Sequence, residues 1–123
     1  MVKYLFVYGI LVDTLNNFAC KINPAIAYGM KLTIHKTDNT PAIIPTYDLC
    51  DYVNGQVIKV CNPNKMTELF NICDQVAFGF NKKILQIMIG NKKVDAFAYF
   101  PNEMSMYDEI DQHSYSEYKA SNS

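Results

Sequence analysis

Residues 3–8, Lys-Tyr-Leu-Phe-Val-Tyr, form an unbroken run of mostly aromatic and apolar side chains that ends directly on Gly9. Such a run favours a buried strand. A glycine immediately after it lets the backbone turn sharply and lie close to a ligand. The segment therefore predicts an early core strand and, at its end, the loop Tyr8-Gly9-Ile10-Leu11. The remaining apolar residues must arrange themselves around that strand.

They do so mostly with strand periodicity. Residues 25–36 read as a second strand, with Met30, Leu32 and Ile34 on one face and Lys31, Thr33 and His35 on the other. Thr37-Asp38-Asn39-Thr40 is a turn. Pro41-Ala42-Ile43-Ile44-Pro45 is extended, and its prolines confine it to an edge or an irregular strand. Residues 52–60 read as a strand with an early Gly55. Asn62-Pro63 then opens a helix, with Asn as cap and Pro in the first turn. Met66, Leu69, Phe70 and Cys73 repeat at i, i+3, i+4 and i+7, the stripe of a helix laid on a sheet, which should end near Asp74-Gln75. Residues 80–89 and 94–100 read as two strands joined in a hairpin at Gly90-Asn91. About six strands and one clear helix predict an α+β fold: a small, mainly antiparallel β-barrel with one or two helices packed beside it. Residues 1–101 form this domain. Residues 102–123 are a polar, acidic, Ser/Tyr-rich tail expected to be partly disordered.

Composition narrows the chemistry. With 123 residues, half of them hydrophobic, and a net charge of −1, the chain suits one core and shows no basic patch for nucleic acid. No apolar stretch reaches the length of a membrane span. The chain enters a strand at once, so no signal peptide is expected. Cys20, Cys50, Cys61 and Cys73 are widely spaced, without a Cys-x-x-Cys pair. They read as reduced, mostly buried thiols of a cytoplasmic protein rather than a zinc site or a disulfide framework. His35 and His113 read as surface residues. All eleven basic residues are lysines. Without arginine, an anionic ligand must be held by backbone N–H groups, hydroxyls, amides or a lysine.

In their order, these pieces resemble the gamma-glutamylcyclotransferase-like family. The resemblance covers residues 3–100. Tyr8-Gly9-Ile10-Leu11 stands where the family has Tyr-Gly-Thr-Leu or Tyr-Gly-Ser. Pro41–Pro45 matches its Pro-rich segment, and Val53-Asn54-Gly55-Gln56-Val57-Ile58-Lys59-Val60 its Val-x-Gly-Glu-Val strand. Phe70-Asn71-Ile72-Cys73-Asp74 matches a helix ending in Leu-Asp-x-x-Glu, Phe80-Asn81-Lys82-Lys83 a Tyr-x-Arg-Arg strand, and Ala96-Phe97-Ala98-Tyr99 the final Ala-x-x-Tyr strand.

The resemblance implies a reaction in which a γ-glutamyl group cyclises, its α-amine attacking its own γ-carbonyl, to give 5-oxoproline and a free amine. It implies Asp74 as the catalytic carboxylate, and a substrate site formed by Tyr8, Gly9, Ile10, Leu11 and Tyr99. Nothing in this chemistry requires a metal or an organic cofactor. The expected partner is a small γ-glutamyl-type or other anionic ligand, with no nucleic acid and no membrane; the oligomeric state is open.

The departures from the family pattern keep a second reading alive. Asp74 replaces the usual Glu, so its oxygens retreat by about 1.5 Å, and a misplacement near 1 Å costs on the order of a hundredfold in rate. It reads either as a base in a pocket or as a surface residue at a helix end. Ile10 removes the usual hydroxyl, and the basic residue that often follows Leu11 gives way to Val12 and Asp13. Gln56 replaces a Glu, and Lys82 and Lys83 replace the arginine pair as a solvated strand face. The alternative is a catalytically degenerate module of the same fold that binds a small anion or a macromolecule.

Overall fold

The computed structural model describes residues 4–8, 21–60, 62–76 and 79–121. Its elements in chain order are β1 (Tyr4–Val7), β2 (Lys21–Tyr28), β3 (Met30–His35), β4 (Pro41–Pro45), β5 (Tyr52–Lys59), α1 (Pro63–Val76), β6 (Phe80–Ile89), β7 (Lys92–Pro101), a 3-10 turn (Met104–Met106), β8 (Tyr107–Glu109) and α2 (Tyr115–Ser121). Five strands close a barrel in the order β1-β5-β2-β6-β7. The pairings are antiparallel except where β7 meets β1, at Leu5 opposite Phe97. A separate sheet has the order β4-β3-β8. The α+β barrel with helices beside it is as expected, with its strands divided between two sheets.

Gly29 makes that division. The sequence presents residues 25–36 as one strand, but Gly29 has φ +73°, a region closed to most side chains. Its N–H donates to the Asp51 carbonyl and its own carbonyl accepts from the Thr46 N–H. The chain leaves the barrel at this point and continues as the middle strand of the second sheet. The simple alternation predicted for β3 fails there too. Leu32, Thr33 and Ile34 are all buried, because the strand is covered on both faces. Thr33 satisfies its hydroxyl by donating to the Ala42 carbonyl at 2.9 Å. Pro41–Pro45 is an edge strand of this sheet, as its prolines require.

Alternation along the barrel strands separates two cores. Inside, Ala25, Ala27, Ala96 and Ala98 leave room for Phe6, Val53, Val57, Ile87 and Phe100. Small side chains suit the narrow interior of a five-strand barrel. Gly55 serves the same end: a Cβ there would lie 2.5 Å from the Val7 carbonyl oxygen and 2.8 Å from the Phe6 ring. Outside, Leu5, Val7, Ile58 and Tyr99 meet Met66, Leu69 and Cys73 of α1. This is the predicted helical stripe, with Phe70 half-buried at its edge. Asn62 caps the helix by accepting from the Asn64 N–H at 3.0 Å. β6 and β7 form the expected hairpin around Gly90-Asn91.

The tail departs from expectation. β8 pairs with β3 through Thr33–Glu109, Ile34–Asp108 and His35–Tyr107, and residues 115–121 are helical. His113 ties this segment down. Its ring stacks on Tyr52 at 3.9 Å and 7°, its Nδ1 lies 3.0 Å from the Tyr52 carbonyl, and its own carbonyl accepts from the Asn54 N–H. His35 is likewise no free surface side chain, since it packs edge-on against Tyr107. Polar composition suggested disorder, but pairing to an existing sheet edge and two aromatic anchors order the segment. Of the described cysteines Cys73 is buried, whereas Cys50 is exposed on the loop before β5. No helix among the described residues is long and apolar enough to cross a membrane.

Candidate functional site

Asp74 follows buried Cys73 by one residue, a rotation of about 100° around the helix. That step carries it from the seam between α1 and the barrel to the exposed rim. Tyr99 reaches the same rim from β7. Its neighbours Ala98 and Phe100 point into the barrel, so Tyr99 points outward, beneath the helix. The Tyr99 hydroxyl donates to Asp74 Oδ1 at 2.7 Å, a charge-assisted geometry. Burial raises the Tyr99 pKa above its ordinary range, and the hydrogen bond to Asp74 raises it further. The proton therefore stays on tyrosine at any physiological pH, and the hydroxyl acts as a fixed donor.

Two groups adjoin this pair. Burial, and then the charge of Asp74, push the Cys73 thiol up to about 11, against the opposing influence of the Tyr99 hydroxyl and Lys82. A thiol held protonated in this way is a packing group rather than a nucleophile. Lys82, expected on a solvated strand face, places Nζ 3.6 Å from the Phe70 ring centroid and 5.4 Å from that of Phe97. Its cation thus lies beside the carboxylate rim. No spacing rule in the sequence joins β6 to α1, which is why this neighbour was not anticipated.

Tyr8 sits across the barrel wall from this rim. It packs with the interior cluster, its ring 6.1 Å from that of Phe6. Its hydroxyl donates to the Tyr99 backbone carbonyl at 3.0 Å. Burial raises its pKa above the ordinary range. A chain of two hydrogen bonds thus links Tyr8, Tyr99 and Asp74 through one residue of β7. Tyr8 also lines an open cavity of about 490 Å³ together with Gly55, Gln56 and residues of α2. Asp74 is not among the described residues of that lining. Gly9, Ile10 and Leu11, expected to border the Asp74 site, lie outside the described residues.

Of the expected site residues, then, Asp74 and Tyr99 meet through their side chains, and Tyr8 joins them through the main chain. Among the described residues, no three His, Cys, Asp or Glu side chains cluster as metal ligands. The cavity contains residues that the sequence did not single out, namely Ser114, Ser116 and Lys119. They belong to the tail that composition assigned to disorder.

No protein-family model matches the chain, and no curated protein matches it significantly. Solved structures do resemble it. A protein from Arabidopsis thaliana superposes with a TM-score of 0.70 at 19% identity, covering 97% of this chain and 73% of that one. An AIG2-like protein from Mus musculus gives 0.67 at 17% identity, covering 92% and 87%. A structure described as gamma-glutamyl cyclotransferase gives 0.62 at 16% identity, covering 86% and 68%.

Proposed function

On the premise that this chain has the gamma-glutamylcyclotransferase-like fold, we propose that it cyclises a γ-glutamyl amine or amide to 5-oxoproline, releasing the amine. The observation that carries this reading is the Asp74 carboxylate at the end of α1, fixed by the Tyr99 hydroxyl at 2.7 Å. In the reaction, Asp74 removes a proton from the substrate α-ammonium. The amine then attacks the γ-carbonyl carbon of the same molecule. A C–N bond forms and the ring closes. As the tetrahedral centre collapses, the C–N bond to the leaving amine breaks, Asp74 returns the proton to that nitrogen, and the ring nitrogen gives up its second proton to the departing amine, leaving the neutral lactam and an ammonium. Both reacting groups belong to one molecule, so the protein need only fold the substrate, move a proton and stabilise an oxyanion. The tyrosine hydroxyl holds one carboxylate oxygen, and among the described residues none donates to the other, which is the oxygen available for the proton. A cytoplasmic location goes with this reading, supported by the unpaired Cys50 and Cys73.

The second reading is a binding module that has lost turnover. It is favoured by the separation of Asp74 from the cavity that Tyr8 lines. An assay for 5-oxoproline release over a panel of γ-glutamyl amines and dipeptides separates the two. A working base gives release that Asp74→Asn abolishes, since an amide cannot take up the proton at neutral pH. Asp74→Glu keeps or raises the rate by restoring the longer reach. Silence of the wild type and of Asp74→Glu across the whole panel refutes the enzyme. Revival in Asp74→Glu alone identifies a pocket still shaped for the chemistry but one methylene short.

A further inference from the structure

The cavity beneath α2 has a definite electrostatic character. Its described lining includes the amide residues Asn54 and Gln56, the hydroxyl residues Ser114 and Ser116, the ring of Tyr8, whose hydroxyl is taken by the Tyr99 carbonyl, and one cation, Lys119. No aspartate or glutamate is among the described lining residues, although the chain as a whole has more acidic than basic residues. Lys119 Nζ lies 5.6 Å from the ring centroid of Tyr115, another wall residue. Tyr115 itself packs against the barrel core. The Ser114 Oγ accepts the Glu117 N–H at 3.2 Å, which leaves its own proton to donate outward. The volume of about 490 Å³ falls within the range of small-molecule sites.

We propose that this cavity binds a small carboxylate that also carries an amide, such as an N-acyl amino acid, with Lys119 taking the carboxylate. A single lysine matches one negative charge, and the surrounding amides and hydroxyls match an amide's donor and acceptor. A phosphate dianion would find only half the positive charge it needs, in a chain that has no arginine to clamp it. The position of Lys119 depends on the tail. β8 joins the second sheet, His113 pins the following residues to β5, and α2 then forms one wall of the cavity. This assignment does not depend on turnover at Asp74.

The test titrates the full chain, observed by amide NMR, with N-acetyl-L-alanine and, separately, with N-acetyl-L-alaninamide, its neutral isostere. The expected result is saturable shifts at Gly55, Gln56, Ser116 and Lys119, with the amide binding about tenfold more weakly, as expected for the loss of one charged hydrogen bond. Lys119→Gln, at an exposed position that leaves the fold intact, should erase the difference between the two probes, and Lys119→Arg should keep it. Equal binding of acid and amide, shifts elsewhere on the molecule, an acid preference that survives in Lys119→Gln, or tighter binding of inorganic phosphate each overturns the proposal. Asp74→Asn should leave these titrations unchanged. A dead cyclisation assay with intact binding here therefore refutes only the enzymatic reading.

Discussion

The Tyr99 hydroxyl commits one Asp74 oxygen to a fixed position, and a side chain so held tolerates little change in its support. Tyr99→Phe removes the bond while keeping the buried ring. In the enzymatic reading, kcat should fall by roughly tenfold to a hundredfold, the cost of one hydrogen bond to a charged group, while KM stays near the wild-type value. Steady-state kinetics with the best substrate of the panel checks this; an unchanged kcat removes Tyr99 as the positioning residue. A second prediction at this scale concerns the thiols. Cys73 is fully buried and its pKa stands at about 11, whereas Cys50 is exposed. Iodoacetamide at pH 8 on the native protein, read by peptide mass spectrometry, should label Cys50 and spare Cys73 until denaturant is added.

Among the elements, the β1–β5 pair is tightly constrained. Gly55 lies where any Cβ would press on the Val7 carbonyl and the Phe6 ring, and neither strand can retreat without opening the barrel. Gly55→Ala should destabilise the fold by about 1–3 kcal/mol, the usual cost of overpacking, and lower the urea midpoint. An unchanged midpoint would show that β1 and β5 can separate at no cost. The helix is held differently, by a seam of apolar contacts with the Tyr99–Asp74 hydrogen bond at its end. Leu69 is fully buried between α1 and the barrel, so Leu69→Ala should cost about 2–5 kcal/mol. Because the same seam carries Asp74 to Tyr99, this variant should also lower any cyclisation rate.

For the molecule as a whole, buried acidic groups make stability sensitive to base. Tyr8, Tyr99 and Cys73 all have folded-state pKa values raised by burial. Each stays protonated in the folded chain at a pH where the unfolded chain has ionised. The unfolded state then binds fewer protons, and stability falls as pH rises. The contribution is complete below about pH 8.5, the ordinary thiol value, and is lost progressively above it, first through Cys73 and then, above about pH 10, through the tyrosines. Each fully ionising group adds a slope of about −1.4 kcal/mol per pH unit. Urea denaturation at intervals from pH 7 to 11 should show a flat region followed by this decline. A flat profile to pH 11 would mean that the buried hydroxyls and the thiol are free to ionise in place.

Periodicity alone determined most of the elements of this chain. The run at Tyr4–Val7, the helical stripe from Met66 to Cys73 and the Gly90 hairpin are local patterns, and local patterns are what side-chain spacing encodes. The short motifs also placed Asp74 and Tyr99 in one candidate site, and their side chains do meet. Long-range pairing decided the rest. Nothing within residues 25–36 says that the chain must change sheets at Gly29, because the Asp51 carbonyl that receives its N–H is distant in sequence. The acidic tail gains its order from an open edge on β3 and a ring on Tyr52, both supplied by other segments. Lys82 beside the carboxylate rim, and Lys119 at the cavity wall, are likewise products of closure. A free charge on a strand face or in a polar tail carries no local signal of its destination until the barrel brings a carboxylate or a cavity to it.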